Sequence, residues 1–171
     1  MISIRPEQES DTEAIRGVHL LAFGQKHEAD LVDAIRDSDD FDPQLSLVAE
    51  VDRQLIGHIL YSPLIIKSEA GEHRALALAP IAVRPDFQNQ GIGSALVRYG
   101  NQAAANLNHR IVIVVGDPEY YSRFGFSPAR PLGLACSLPV PDENFMVLEL
   151  VPGALSNVKG SVAYPPVFGL A

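Results

Sequence analysis

The segment RPDFQNQGIGSALV, residues 84–97, constrains the fold more than any other stretch of this chain. It places Gly91 and Gly93 one residue apart, between a β-rich run and a helix-like run. Glycine weakens regular structure, so such a pair marks backbone that turns tightly or that another group approaches closely. Three interpretations are open at this point: a plain turn, a phosphate-binding loop and a dinucleotide-binding fingerprint.

The residues around the glycines exclude two familiar nucleotide motifs. A dinucleotide fingerprint needs a third glycine where this chain has Leu96, and a P-loop needs a lysine, which follows neither glycine. What remains is a strand, a tight loop and a helix N-terminus, whose amide N–H groups and dipole attract anions. The loop therefore suits a pyrophosphate without any basic patch, and a plain turn remains the alternative.

Hydrophobic periodicity and turn residues predict a mixed α/β domain with the order strand, two helices, three strands, helix, strand, helix, strand. The predicted strands cover residues 2–4, 45–51, 55–61 with a continuation to 66, 74–83, 111–115 and 145–151. The predicted helices begin at a capping box of Ser10 and Glu13, after Gly24, at residue 91 and at residue 117. The helix between strands 74–83 and 111–115 predicts one parallel crossover, while residues 127–142 and the tail from about 152 are predicted as loops.

Composition limits the class of protein. The chain has 171 residues, which suits one domain, residues 1–171, at about 150 residues per domain. A net charge of −8 argues against a nucleic-acid partner, which selects clustered lysine and arginine. Cys136 is the only cysteine, so a reducing compartment is the default. Because the chain also shows no signal-peptide pattern and no run of roughly 18 apolar residues, we expect a cytoplasmic protein without a membrane partner.

A second motif follows the predicted strand 111–115. It reads YYSRFGF, residues 120–126, and together with the first motif it resembles the GNAT superfamily of acyl-CoA-dependent N-acetyltransferases. The family pattern V-x-P-x-x-[QR]-x-x-G-x-G is matched by Val83, Pro85, Gln88, Gly91 and Gly93, and the Tyr-x-x-x-Gly-Phe pattern by Tyr121, Gly125 and Phe126. The order of the predicted elements also matches over most of the chain. The sequence is most similar to the bacterial YhbS-like branch.

The resemblance implies both a fold and an activity. The fold is a central mixed, mostly antiparallel sheet of about six or seven strands, splayed between the fourth and fifth strands and flanked by about four helices. The activity is transfer of an acetyl group, or another acyl group, from acyl-CoA to a primary amine by direct attack, without a metal. The alternative is a non-catalytic acyl-CoA-binding sensor or regulatory module. The implied partner is a small-molecule or peptide amine, and a homodimer is left open.

The resemblance also implies the roles of individual residues. Tyr121 matches the tyrosine that protonates the departing CoA sulfur, and its ordinary pKa of about 10 keeps the phenol protonated at neutral pH. A tyrosine packed in a core aromatic cluster is the alternative. The implied cofactor-binding residues are Gln88, Asn89, Gln90, Gly91, Ile92, Gly93 and Ser94 at the pyrophosphate, Ile81, Ala82 and Val83 beside the pantetheine arm, and Arg123 at the 3′-phosphate or adenine.

The general base is the part of the site that the sequence leaves open. Some members of the family carry a glutamate on the fourth strand, but residues 76–83 of this chain contain no carboxylate. Glu72, His73 and His58 are nearby candidates, although each is more typical of a surface or hydrogen-bonded structural residue. Deprotonation through water, or an amine that binds already neutral, is equally compatible. Pro80 has no N–H to donate, so it predicts a strand edge or a bulge that opens space for an extended ligand.

Overall fold

The computed structural model describes residues 1–169, which form four α-helices and a nine-stranded sheet. The strands are β1 (Ser3–Pro6), β2 (Ser46–Val51), β3 (Gln54–Ser68), β4 (Gly71–Val83), β5 (Ile111–Val115), β6 (Ser127–Pro128), β7 (Leu134–Ala135), β8 (Phe145–Glu149) and β9 (Gly160–Ala163). The helices are α1 (Thr12–Phe23), α2 (His27–Arg36), α3 (Ile92–Asn106) and α4 (Pro118–Ser122). The predicted order of strands and helices up to β5 and α4 is confirmed.

The sheet is mixed and mostly antiparallel. Its strand order is β1-β2-β3-β4-β5-β8-β6, and β9 pairs with both β3 and β7. The β4–β5 pair is parallel, as the predicted crossover requires, whereas β1–β2, β2–β3 and β5–β8 are antiparallel. Within residues 1–169 the β4–β5 pairing covers only Leu76↔Val112 and Ala77↔Ile113, although β4 continues to Val83 and β5 to Val115. The predicted splay between the fourth and fifth strands is therefore confirmed.

The chain divides into two compact units. The first contains Met1–Ser62 and Ala79–Ala103, and the second contains Pro63–Leu78 and Ala104–Ala171. Strands β3 and β4 contribute residues to both units, while β1, β2 and helices α1 to α3 belong to the first, apart from the last three residues of α3. Strands β5 to β9 and α4 belong to the second.

The β2–β3 hairpin forms where the sequence predicts it. Its two turn residues, Asp52 and Arg53, have φ angles of 49° and 65°, and Val51 pairs with Gln54 on either side of them. Two consecutive left-handed residues define the turn whose twist matches that of the flanking strands. The hairpin fixes the register that places His58 of β3 opposite Val48 of β2.

The start of α1 differs from the predicted capping box. Ser10 does not cap the helix; instead a 3₁₀ turn, Glu9–Asp11, precedes it, and the Gln8 N–H donates to the Asp11 carboxylate at 2.7 Å. Arg5 donates to the same carboxylate at 2.7 Å, and this bond lowers the pKa of Asp11. The ion pair with β1 explains the difference, because it holds Asp11 rather than Ser10 at the point where the helix begins.

Two segments predicted as loops contain short strands. β6 and β7 lie within residues 127–142, and β9 lies in the tail, where Ile65 of β3 pairs with Ala163. Two-residue strands are too short to give a periodic pattern, and the glycine that opens β9 resembles a turn residue. Gly160 is required there by close packing, because a Cβ at this position would overlap the Lys67 carbonyl of β3.

Tyr61 and α3 form a close contact inside the first unit. The Tyr61 side chain is fully buried, and its hydroxyl donates to Asn101 Oδ1 at 2.8 Å. Gly100 of α3 faces the Tyr61 ring so closely that a Cβ there would overlap ring carbon Cε1 and the hydroxyl oxygen. A glycine inside a helix is therefore explained here by the ring that packs on it.

We predict that Gly100→Ala lowers the free energy of unfolding by about 1–3 kcal/mol, the usual cost of overpacking. Alanine would otherwise stabilise the helix by about 1 kcal/mol relative to glycine. Gly17→Ala in α1 is the matched control, because no described heavy atom lies within 4 Å of a Cβ built there. Urea denaturation followed by circular dichroism measures both variants. Equal stabilisation by the two substitutions would contradict the packing argument.

Candidate functional site

The loop between β4 and α3 is held in a tight conformation by two left-handed residues. A 3₁₀ turn, Pro85–Phe87, follows β4, and Gln88 is extended with φ −70° and ψ 160°. Asn89 and Gly91 then have φ angles of 63° and 83°. The Gln88 side-chain amide donates to the Val83 carbonyl at 2.9 Å, so this residue anchors the loop to the end of β4.

The loop leaves space and N–H groups for an anion at the start of α3. Gly91 is exposed, and no described heavy atom lies within 4 Å of a Cβ built on it. The Ala95 N–H donates to the Gly91 carbonyl at 3.0 Å, which is the first hydrogen bond of the helix. The amides of Ile92 and Gly93 precede that bond, so helix geometry offers them no carbonyl within α3. The N-terminus of a 15-residue helix adds partial positive charge, and the loop therefore fits a pyrophosphate.

The strand segment 81–83 leads directly into this loop and is fixed against β3. The Arg84 N–H donates to the Ile56 carbonyl at 2.8 Å. A Cβ built at Gly57 would lie 3.3 Å from the Ala82 carbonyl oxygen and 3.0 Å from Leu96 of α3. Ala82 is buried, whereas Ile81 and Val83 are half-buried. Gly57 thus allows β3 to approach β4 closely at the segment predicted to lie beside pantetheine.

Tyr121 lies in the second unit, at the end of α4, and is 8% exposed. Asp117 caps this short helix by accepting a hydrogen bond from the Glu119 N–H at 3.0 Å. The Tyr121 ring meets the rings of Tyr120 and Phe126 edge-on, with centroids 5.0 Å and 5.6 Å away. Burial raises the pKa of Tyr121 to about 12. The residue therefore belongs to an aromatic cluster and also keeps its proton at neutral pH, as a general acid must.

Gly116, which directly precedes the Asp117 cap of α4, makes room for the Tyr121 ring. A Cβ at Gly116 would overlap ring carbon Cε2 of Tyr121 and would lie 3.0 Å from Cδ2. Its signal in the sequence is a glycine between a β-rich run and the Asp117-Pro118 helix start, a pattern that is also typical of an ordinary turn. The position of the phenol thus depends on a glycine five residues earlier.

Arg123 packs on its own helix. Its guanidinium lies over the Tyr120 ring, 4.7 Å from the centroid, and its Nε donates to the Tyr120 carbonyl at 3.3 Å. Tyr120 is therefore half-buried between Arg123 and the Tyr121 ring. Arg123 itself is exposed at the surface of the second unit.

The three candidates for the general base occupy different environments. Glu72 is exposed and His73 is half-buried, both at the start of β4 in the second unit. His58 is fully buried in the first unit, where its ring nitrogens lie 2.8 Å from His19 Nε2 and 2.8 Å from Ser46 Oγ. No local sequence pattern marks this cluster, because its members are far apart along the chain.

Among residues 1–169, no group of three or more His, Cys, Asp or Glu side chains is arranged to hold a metal ion. No helix in the same part of the chain combines the length and the apolar composition that a membrane span needs.

Comparisons with known proteins agree with the geometry. Residues 42–128 match the model of the acetyltransferase (GNAT) domain. The chain is 35% identical over 162 residues to the uncharacterized N-acetyltransferase YhbS of Escherichia coli K12, covering 94% of this chain and 95% of that protein. It is 37% identical over 136 residues to the uncharacterized N-acetyltransferase YjhQ of the same strain, covering 79% and 75%.

Two solved structures are similar over nearly the whole chain. The crystal structure of Escherichia coli YhbS in complex with CoA gives a TM-score of 0.91 at 32% identity, covering 99% of this chain and 92% of that one. A GNAT family acetyltransferase from Brucella melitensis in complex with acetyl-CoA gives a TM-score of 0.79 at 32% identity, covering 98% of both chains.

We predict that Gly116→Ala displaces the Tyr121 ring and lowers the free energy of unfolding by about 1–3 kcal/mol. In a Tyr121→Leu background the overlapping ring atoms are gone, so the same substitution should cost less, with a coupling of about 1 kcal/mol. Chemical denaturation of the four proteins of this double-mutant cycle measures the coupling. Strictly additive effects would show that Gly116 does not contact the ring.

Proposed function

Since the chain belongs to the GNAT family of acetyltransferases, we propose that it transfers the acetyl group of acetyl-CoA to a primary amine by direct attack. The observation that carries this proposal is the similarity to YhbS, which extends over 94% of the chain and includes a structure in complex with CoA. The amine nitrogen forms a bond to the thioester carbon, the carbon–sulfur bond breaks, and the sulfur leaves with the electron pair. An amide and CoA are the products.

The pyrophosphate of acetyl-CoA is assigned to the loop from Gln88 to Ser94. Support comes from the open space at Gly91 and from the N–H groups at the start of α3. Backbone donors explain how a chain with a net charge of −8 binds a polyanion, because the attraction is local and needs no basic patch. The pantetheine arm is assigned to the backbone of Ile81, Ala82 and Val83, which leads into this loop.

Tyr121 is proposed as the acid that protonates the departing CoA sulfur. Because burial raises the pKa of Tyr121 to about 12, the phenol is protonated at neutral pH and has a proton to donate as the carbon–sulfur bond breaks. Arg123 is proposed to contact the 3′-phosphate or adenine, in keeping with its exposed position and positive charge. A main-chain N–H near Ile81 or Ala82 is proposed to stabilise the oxyanion.

The acceptor is proposed to be a small-molecule or peptide amine that carries positive charge, such as a polyamine, an aminoglycoside or a lysine side chain. The acidic segment at residues 37–42 supports a cationic acceptor, because carboxylates attract positive charge. We further propose that residues 1–171 work as one acyltransferase domain in the cytoplasm, in keeping with the single cysteine.

The test of the proposed activity is CoA release from acetyl-CoA with a panel of primary amines, combined with calorimetric titration of CoA. Binding together with amine-dependent release supports the acetyltransferase. Binding without release from any amine would instead indicate an acyl-CoA-binding module. Failure to bind CoA would contradict both functions and leave the loop as a plain turn.

We predict that Gly91→Ala weakens CoA binding by about tenfold or more, equivalent to roughly 1.4 kcal/mol. The new methyl group meets no protein atom but occupies the space assigned to the pyrophosphate, and a φ of 83° disfavours any Cβ. Gly24→Ala is the matched control, since Gly24 is also exposed, has a φ of 67° and has no described heavy atom within 4 Å of its built Cβ. Both variants are titrated with CoA. Equal CoA affinities of the two variants would contradict the assignment of the pyrophosphate to this loop.

We predict that Tyr121→Phe slows acetyl transfer by about 10²–10⁴-fold, the usual contribution of a positioned general acid. CoA affinity should change little, because the ring still packs against Phe126 and only the hydroxyl is removed. Tyr120→Phe removes the same atom from the neighbouring residue and should leave the rate within about twofold of the wild type. Single-turnover kinetics measures the chemical step. A rate for Tyr121→Phe equal to the wild type would assign the proton to another donor.

A further inference from the structure

A cavity of about 470 Å³ lies in the first unit, between α1 and the closed end of the β2–β3 hairpin. Four residues line it from one face of α1: Ala14, Gly17, Val18 and Leu21. Helix α2 packs on another side of α1, because its Asp30 and Asp33 bind Arg16 at 2.9 Å and 2.8 Å. The cavity is thus separate from the α1–α2 contact, and none of the residues assigned above to acyl-CoA lines it.

A β-bulge builds the hairpin wall of this cavity. Ala49 pairs with Gly57, whereas the next residue of β2, Glu50, pairs with Leu55, so Ile56 is the extra residue of β3. Gly57 faces α3, and strict alternation along β3 would direct Leu55 to that same side of the sheet. The bulge instead sets Leu55 opposite Glu50, and both residues line the cavity on the α1 side.

Gly17 leaves room in the cavity that the protein itself does not use. No described heavy atom lies within 4 Å of a Cβ built on Gly17, whereas the Tyr61 ring explains the glycine at position 100. Glycine is less favourable inside a helix than any residue except proline, so an uncrowded one in α1 calls for another explanation. The cavity beside it is lined by the apolar side chains of Val18 and Leu55, which are 2% and 8% exposed. This space suits the apolar part of a ligand.

The two carboxylates in the lining differ in how fully they are bound. Asp11 accepts two hydrogen bonds from Arg5, at 2.7 Å and 3.2 Å, and a third from the Gln8 N–H. Glu50 accepts a single long hydrogen bond of 3.4 Å, from the same Arg5. A carboxylate has about four acceptor positions, so Glu50 retains capacity for a further donor and Asp11 has little left.

The two guanidiniums in the lining have donors to offer. Arg84 is half-buried where β4 ends, and its Nε is buried without a hydrogen-bond partner among residues 1–169. The ion pair of this nitrogen with Asp86 Oδ1, at 3.5 Å, is too long for a good hydrogen bond. Arg53 is exposed at the left-handed turn of the hairpin. A buried donor without an acceptor is costly, and a carboxylate is the acceptor that a guanidinium binds best.

We propose that this cavity binds a small zwitterion with an apolar side chain, as in an apolar amino acid or a dipeptide of two such residues. The ligand carboxylate accepts hydrogen bonds from Arg84 and Arg53, and the ammonium group donates to Glu50. The apolar side chain occupies the space beside Gly17. Free amino acids and dipeptides carry both charges at pH 7. The proposal concerns a second site and does not rest on the acetyltransferase function.

The charges of the lining select a zwitterion over a ligand with one charge. A monocarboxylate would satisfy the guanidiniums but would cover the Glu50 carboxylate with no donor for it. A monoamine would satisfy Glu50 but would leave the buried donor of Arg84 without an acceptor. Each of these ligands desolvates a charged group that it does not pair, and that cost lowers its affinity.

The first test is calorimetric titration of the full-length protein, without CoA, with leucine, phenylalanine and leucyl-leucine at pH 7. At least one should bind with a Kd below about 1 mM. The tighter of leucine and leucyl-leucine tells whether the natural ligand class is the free amino acid or the dipeptide. Absence of binding by all three would overturn the proposal.

Two analogues of leucine test the need for both charges. Leucinamide lacks the carboxylate and 4-methylpentanoate lacks the ammonium group, so each should bind at least about tenfold more weakly than leucine. Equal binding of 4-methylpentanoate would show a plain carboxylate site, and equal binding of leucinamide would show a cation site. Either result would overturn the zwitterion assignment.

Substitutions then test the location with the tightest of the three ligands. Gly17→Leu fills the cavity without meeting a described protein atom near its Cβ, so it should abolish binding and leave the melting temperature no lower. Arg84→Gln should weaken binding by about tenfold or more, since it removes the charged donor. Arg74→Gln is the control, because Arg74 is exposed in the second unit, and it should leave the affinity unchanged. Unchanged affinity in folded Gly17→Leu or Arg84→Gln would place the ligand elsewhere.

The last variant separates the two ends of the ligand. Glu50→Gln should weaken leucine by about tenfold, since the ammonium group loses its charged partner, and should not weaken 4-methylpentanoate. Equal losses for both ligands would contradict the contact between Glu50 and the ammonium group.

Saturating CoA tests whether the cavity is separate from the acyl-CoA site. Because the lining contains none of residues 81–83 or 88–94, CoA should change the leucine affinity by no more than about twofold. Competition between leucine and CoA would overturn the second site. A protein that binds leucine but not CoA would contradict the proposed acetyltransferase function and leave this site intact.

Discussion

The Glu7 carboxylate organises the polar interior of the first unit, because it can only accept hydrogen bonds. Arg36 binds both of its oxygens, Ser46 donates to one of them, and the Glu7 N–H donates to the Ser46 carbonyl at 2.8 Å. These bonds join the end of β1 to β2 and α2, and through His58 and His19 they extend to β3 and α1. Removing one partner of such a buried pair typically costs about 3–5 kcal/mol, since the other charge remains unpaired. A carboxylate near the N-terminus thereby sets the hydrogen-bond direction across five elements.

Burial shifts the pKa values of Tyr121 and His19 in opposite directions, but it leaves both side chains neutral at pH 7. It raises the pKa of Tyr121 to about 12 and lowers the pKa of His19 to about 4. Both groups are therefore neutral at pH 7, because each environment disfavours the charged form. A phenol that holds its proton is the state that the proposed role of Tyr121 as a general acid requires. In both residues desolvation is the main cause of the pKa shift, and neighbouring charges contribute less.

The sequence predicted the elements with strong periodicity or specific turn chemistry and missed those without either. The β2–β3 hairpin, α3 and the parallel crossover were predicted correctly, since each has a local pattern at its ends. The strands β6, β7 and β9 were missed because two to four residues carry too little periodicity. The glycine loop and Tyr121 were found through motifs, whereas the buried chain from Glu7 to His19 has no motif. Its members Glu7, Ser46, His58 and His19 come from three separate elements and one connection, so only the tertiary structure brings them together.

Three glycines show why the same residue type must be interpreted through what surrounds it. Gly100 and Gly116 are crowded, because the rings of Tyr61 and Tyr121 occupy the space of a side chain. Gly91 is the reverse case: its φ is 83°, and no described heavy atom lies within 4 Å of a Cβ built on it. A crowded glycine makes room for a side chain of its own protein. An open glycine at the start of a long helix instead leaves the backbone accessible to an outside group. We propose that an outside anion uses this access, and backbone N–H groups would then let an acidic chain bind it without lysine or arginine.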